Sequence, residues 1–446
     1  MVLEHVFYHS VPKIYNYIQQ HVYDGEPIEN EIIDLGFWPG GDRDGNPFVT
    51  TKITLNVAER LRQTILRSYY RDIRRLKRRF TFDGVQNILS KVEKRLYKHV
   101  VRSYAKVNFS QKILLEELYA AREIIVNEHQ SLFVEELNDV INKVRIFGFH
   151  FATLDIRQDS RVHHKAFTQI VEDLHKIGDT TFPKNYLTLS EKEQIDILSV
   201  VKGEIDTNIL TDETSVKTIE SIYALKEIQH RNGERGANRY IISNNQTALN
   251  VMETFAMLNL CGFENELPVD VIPLFETVED LENSEEVMRT LYSNKTYRHH
   301  VSKRKNKQTI MLGFSDGTKD GGYLMANWGI FKAKEALTRI SKEYDIEVIF
   351  FDGRGGPPAR GGGKTHQFYA SLGPTIEDKE IQLTIQGQTI SSNFGTLNSS
   401  QYNLEQLLSS GIKNDVFTKD QLNDTHRELI NDMADTSYQT YVNFKN

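Results

Sequence analysis

Cysteine is nearly absent: Cys261 is the single one among 446 residues. That excludes an internal disulfide framework and any multi-cysteine zinc site, and it suits a reducing, cytoplasmic compartment. Its setting, Leu260-Cys261-Gly262-Phe263, is apolar, which predicts an inert buried thiol rather than a nucleophile. Long hydrophobic runs are missing too, and no stretch of about eighteen apolar residues is available to span a bilayer. Residues Met1 to Tyr17 carry Glu4, His5, His9 and Lys13 and lack the basic-then-apolar layout of a signal peptide. There is no excess of positive charge: the net value is −7, which argues against a general nucleic-acid binder. No His-Pro pair occurs anywhere in the chain.

What is present is an ordinary globular composition, 26% charged and 39% hydrophobic, long enough to bury a large core. One local exception to the acidic balance is Arg71, Arg74, Arg75, Lys77, Arg78 and Arg79, six cations in nine positions. Ile65, Tyr69, Ile73, Leu76 and Phe80 mark the apolar side of the same helical pattern. No aromatic platform interleaves the charges, so a solvated basic face is the better reading than an RNA-binding stripe.

Apolar runs rich in β-branched residues recur at Ile32 to Trp38, Ala152 to Arg157, Arg239 to Ser243, Val269 to Glu276, Thr309 to Ser315, Ile346 to Asp352 and Ile381 to Gln386. They are continuous rather than alternating, as strands buried on both faces of a parallel sheet should be. Helical patterns lie between them, for example Asn327 to Tyr344. The last five runs are roughly thirty to forty residues apart, the length of a βα unit when about 250 residues make eight. The earlier gaps are longer and read as helical insertions over about 50–148 and 162–228. The expectation is a predominantly helical α/β chain, a (β/α)8 TIM-type barrel over 1–446, with seven of its eight strands visible.

Nearly every run ends in polar or glycine-rich residues, in segments 36–47, 152–160, 272–277, 311–322, 350–366 and 381–395. In a parallel barrel these ends share one rim. Glu276 and Asp316, each at a run's end, would form an oxygen-rich site for Mg²⁺ or Mn²⁺. Taken singly, such an acid is more often a cap or an ion-pair partner. Arg157, Arg354 and Arg360 would bind phosphate or carboxylate. The last two frame a loop from Gly353 to Lys364 with six glycines, whose backbone can approach an anion closely. Lys319 stands near Asp316, where it could stabilise a developing anion. Gly363-Lys364-Thr365 resembles the end of a Walker A loop, but Pro358 occupies the position that needs glycine, which sets a P-loop ATPase aside.

Five segments, Phe37 to Pro47, Leu154 to Ser160, Pro273 to Thr277, Gly313 to Asp320 and Gly353 to Gly362, resemble the signatures of phosphoenolpyruvate carboxylases, in that family's order. The resemblance implies a (β/α)8 enzyme, usually a cytosolic homotetramer, that turns phosphoenolpyruvate and bicarbonate into oxaloacetate and phosphate. By position it implies Glu276 and Asp316 as ligands of Mg²⁺ or Mn²⁺, and Arg157 and Arg354 on the substrate phosphate. It implies Lys319 as an active-site lysine, Trp38 near the bicarbonate site, and Arg360 in the loop that closes the site or receives acidic inhibitors. The family's His-Pro-Thr segment, on its first barrel strand, has no counterpart. The chain is therefore expected to be a central fragment, inactive or nearly so alone. Asp352 stands where many members carry histidine, and Gln388 to Asn393 where an arginine and a lysine are often seen. The rival reading is a non-catalytic module, derived from that fold, that binds an anionic metabolite or assembles with other chains.

Overall fold

The computed structural model describes residues 1–26, 28, 31–101, 109–263, 266–357, 362–416 and 422–445. All seven apolar runs contain strands: β1 (Gly36–Phe37), β2 (Thr153–Leu154), β3 (Ile156–Asp159), β4 (Arg239–Ser243), β5 (Asp270–Phe275), β6 (Lys307–Gly313), β7 (Glu347–Gly353) and β8 (Ile381–Leu383). Every pairing is parallel. β1 pairs with β2, and β3 to β8 form a six-stranded sheet in sequence order. Only Asp155 separates β2 from β3, and an Asp42–Arg157 bridge carries the β1 segment onto β3. The strands thus follow one another as a single parallel surface.

Side chains alternate across that surface, as the pleat requires. Tyr240, Ile242, Val271, Ile310, Leu312, Val348 and Phe350 join the large core beneath the surrounding helices. Ile241, Ile272, Leu274, Met311 and Phe351 make a separate cluster on the other face, with Trp38 packed against it. The Trp38 and Phe351 rings meet with centroids 6.2 Å apart. In a flat sheet β1 and β7 would be separated by roughly 24 Å at about 4.8 Å per strand, more than two side chains readily bridge. The sheet is therefore curled, with the small cluster inside. Among the described residues β1 and β8 do not pair with each other.

The first insertion is a second, all-helical body. Thr51–Arg79 begins on a Thr50 side-chain cap and ends in Lys77, Arg78 and Arg79, which complement the helix dipole. It packs with Val85–Val101, Gln111–Glu128 and Val134–Phe147 around Ile65, Tyr69, Leu89, Leu118 and Val144. The basic face of its last turns is bonded to acids: Arg71 to Glu4, Arg74 and Lys77 to Glu93, Arg75 to Asp72, and Arg79 to Glu136. The second insertion folds as Ser160–Lys176, Glu191–Leu198 and Glu213–Asn232. Cys261 is fully buried and its thiol pKa is pushed up by that burial. No helix among the described residues is long and apolar enough to cross a membrane.

Candidate functional site

Parallel order sends the carboxyl end of every strand to the same rim, and most of the expected polar residues gather there. Arg157 on β3 faces inward beside Ile241, its register partner on β4. Its Nε donates to Asp42 Oδ1 at 2.8 Å and its Nη2 to Asp44 Oδ2 at 2.7 Å. The guanidinium also lies over the Trp38 ring, 5.0 Å from the centroid.

Glu276 follows β5. Its Oε2 accepts the backbone N–H of Asn244, just beyond β4, at 2.8 Å. Gly313 makes the closeness of β5 and β6 possible, since a Cβ there would lie 3.1 Å from Glu276 Cγ. Burial pushes the Glu276 pKa up to about 7; Asp316 and Asp44 push the same way, while the Asn244 N–H and Arg157 oppose. Asp316, Asp44 and Arg157 are thus all within electrostatic reach of one half-buried carboxyl.

Asp316 does not end a strand. β6 stops at Gly313, and Phe314–Glu343 is helical, broken only at Gly322 (φ 77°). The buried Phe314 ring, edge-on to Phe368, anchors that first turn. Asp316 and Lys319 therefore sit one helical turn apart, both exposed, with Lys319 Nζ 2.7 Å from Asp316 Oδ1. Among the described residues no third carboxylate, histidine or cysteine joins Glu276 and Asp316 in a metal-binding group.

Arg354, just past β7, is 6% exposed. Its guanidinium stacks 3.9 Å from the Phe368 centroid and 5.6 Å from that of Phe314. Its Nη1 has no hydrogen-bond partner among the described residues, and burial lowers its pKa. Among the described residues no carboxylate is bonded to it, a costly arrangement for a buried guanidinium that an anion would relieve. Arg360 and Pro358 lie outside the described residues, so the loop's second arginine has no place in this geometry.

Sequence reasoning missed Asp155 and Asn244 and left the role of Asp352 open. Asp155 accepts from Trp38 Nε1 at 2.9 Å and from Arg239 Nε at 2.6 Å. Asp352 is paired to a buried Lys334. The Asn244 peptide holds Glu276, and Asn244 has φ 52°, a conformation asparagine tolerates better than most residues. Asparagine twice in Ser243-Asn244-Asn245, directly after a strand, was the available signal.

A curled parallel sheet with helices outside and polar residues at its carboxyl edge defines a helix-rich α/β protein, a class in which that edge is the usual place for a functional site. The sequence profile of one family matches residues 1–111 and 81–445, and by it the chain belongs to the phosphoenolpyruvate carboxylase family. A phosphoenolpyruvate carboxylase of Nitrosomonas eutropha is 28% identical over 99% of this chain and 53% of its own length. One of Nitrosomonas europaea is 29% identical over 93% of this chain and 50% of its own. The chain spans about half the length of the curated relatives it matches.

Proposed function

We propose that this chain forms the metal- and phosphoenolpyruvate-binding rim of a phosphoenolpyruvate carboxylase. In the reaction, a bicarbonate oxygen attacks the phosphorus of phosphoenolpyruvate, giving carboxyphosphate and the enolate of pyruvate. Carboxyphosphate loses phosphate and releases CO₂, and the enolate carbon bonds to that CO₂ to yield oxaloacetate. The observation that carries the reading is that Arg157, from β3, and Asp316, from the helical turn after β6, both act electrostatically on Glu276 at the end of β5.

The carboxylates suit a hard divalent cation: Glu276 is held proton-hungry by burial and by neighbouring acids, the strain a dication would remove. Glu276 and Asp316 would hold Mg²⁺ or Mn²⁺, with substrate and water supplying the other oxygens. Bound there, the ion would supply Lewis-acid stabilisation of enolate charge. Arg354 binds the phosphoryl group through Nη1, which has no partner among the described residues, assisted by Arg157 and, from the glycine-rich loop, Arg360. Lys319 leaves Asp316 to meet the carboxyl or enolate oxygen, and Trp38 walls the bicarbonate side. Both intermediates are lost to water if released, so the glycine-rich loop closes over them.

The sheet belongs to a (β/α)8 barrel whose remaining strand lies between β1 and β8. A cleft of about 2420 Å³ bordered by Gly36, Phe37, Ile381 and Leu383 supports this, as does the curl measured at Trp38 and Phe351. A strand there would carry the histidine the family uses, so the 446-residue chain is inactive or nearly so by itself. The complete enzyme is a cytoplasmic homotetramer. One observation favours a non-catalytic anion-binding module instead: Lys319 is 70% exposed and already engaged by Asp316.

Calorimetry with phosphoenolpyruvate, with and without Mg²⁺, decides between them. Metal-dependent binding with negligible oxaloacetate formation is the expected result. Metal-independent binding favours the module, and robust turnover by this chain overturns its inactivity.

A further inference from the structure

Asp155 is almost wholly buried, yet it is bonded both to Trp38 of the β1 segment and to Arg239 of β4. It sits in the one-residue break between β2 and β3 and is 1% exposed. Each carboxylate oxygen has one charged or polar donor: Oδ1 takes Arg239 Nε at 2.6 Å, Oδ2 takes Trp38 Nε1 at 2.9 Å. Burial raises the carboxyl pKa, and Arg239 opposes it.

The packing around this pair leaves little latitude. A Cβ at Gly36 would lie 2.8 Å from Arg239 Nη2, and one at Gly41 only 2.0 Å from the Asp155 carbonyl oxygen. Both glycines belong to the β1 segment that carries Trp38. An indole has a single N–H donor, so the acceptor it finds decides which way the ring lies about its own axis. Here that orientation sets the Trp38 and Phe351 rings edge to face across the curled sheet, 73° from coplanar. It leaves the ring face to Arg157.

We propose that Asp155, neutralised by Arg239, is a positioning residue that sets the plane of Trp38 and, through that ring, the guanidinium of Arg157. The inference rests on the carboxylation reading of the rim. Cation–π attraction depends on the cation lying over the ring face. A Trp38 ring released from Asp155 can rotate and present its edge, leaving Arg157 to Asp42 and Asp44 and turned from an incoming phosphate.

Trp38 and Trp328 are the only tryptophans in the sequence, so Trp328→Phe makes Trp38 the sole reporter. In that background, Asp155→Asn places an amide N–H₂ against one of two existing donors, breaking one of the two bonds. The expected result is a red-shifted Trp38 emission, stronger acrylamide quenching, and phosphoenolpyruvate binding in Mg²⁺ weakened at least about tenfold. Arg239→Gln, which leaves the carboxylate in place but removes its counter-charge, gives the same direction with a smaller change. It also serves should Asp155→Asn not fold, as judged by circular dichroism. Binding by the Trp328→Phe parent that both variants leave unaltered overturns the inference alone. An affinity loss with no change in Trp38 emission overturns it as well. No binding by the parent overturns the carboxylation reading and the inference with it.

Discussion

Lys334 sets its ammonium 2.8 and 2.9 Å from the two carboxylate oxygens of Asp352, and the side chains are 1% and 0% exposed. Tyr369 adds a third bond, its hydroxyl 2.7 Å from Asp352 Oδ2. The pair therefore ties the end of β7 to the helix Phe314–Glu343 and to the helix Thr365–Ser371 that follows the glycine-rich loop. Arg354, two residues past Asp352, stacks on Phe368 of that same short helix.

Removing one member of such a pair leaves the other charge buried without compensation. Asp352→Asn should cost about 3–5 kcal/mol of stability, because desolvated Lys334 then has no counter-ion. Replacing both, Lys334→Met with Asp352→Leu, should recover most of that loss. Urea denaturation of the single and double variants measures it. A single variant as stable as the parent would show that the pair is not closed to water.

The seven strand positions were legible because burial on both faces leaves continuous apolar runs, and the rim was legible because parallel strands end together. The placement of Asp316 was not. Gly317, Gly321 and Gly322 read as loop, yet only Gly322 leaves helical geometry, because buried Phe314 and Met325 hold the segment down. Lys334 falls in an amphipathic pattern, where lysine normally marks the solvent side. Its burial depends on Asp352, a contact between distant segments that no local periodicity encodes. The ion pairs of Arg157 with Asp42 and Asp44 were hidden for the same reason, since they need the register between the β1 segment and β3. Arg360 lies outside the described residues.

Glu276 makes the metal-free protein sensitive to pH in an unusual direction. Its folded pKa is about 7 against an ordinary 4.5, so it favours the folded state below 4.5 and loses that contribution as pH rises through 7. A displacement of this size is worth roughly 3 kcal/mol at most. Glu276→Gln keeps an acceptor for the Asn244 N–H and carries no charge. In EDTA it should match the parent near pH 4.5 and exceed its stability by up to about that amount at pH 8. Equal stability at both pH values would show that the carboxyl is not desolvated.

Arg157→Lys keeps the charge but gives up the planar fork shared by Asp42 and Asp44 and the flat face against Trp38. Arginine and lysine are not interchangeable at such a site. Phosphoenolpyruvate affinity in Mg²⁺ should fall at least about tenfold, with the thermal midpoint nearly unchanged, since the new ammonium can still pair with one aspartate. Calorimetry beside a melting curve separates the two effects, and an unchanged affinity would remove Arg157 from the phosphate site.

Gly41 offers the sharpest test of how the rim is assembled. A Cβ there would sit 2.0 Å from the Asp155 carbonyl oxygen, and main chain cannot swing aside as a side chain can. The same stretch carries the Arg157 N–H to Gly41 carbonyl bond at 3.1 Å and the Arg43 N–H to Arg157 carbonyl bond at 2.9 Å. Gly41→Ala must push the β1 segment off β3, at a cost of about 1–3 kcal/mol or more. It should also carry Asp42, Asp44 and Trp38 away from Arg157. The variant is expected to melt lower and to lose phosphoenolpyruvate binding together. Gly45→Ala, where nothing lies within 4 Å of the added carbon although φ is +63°, should lose only the strain of that conformation, about 1 kcal/mol. If the two alanines behaved alike, close packing of β1 on β3 would not be what brings the rim together.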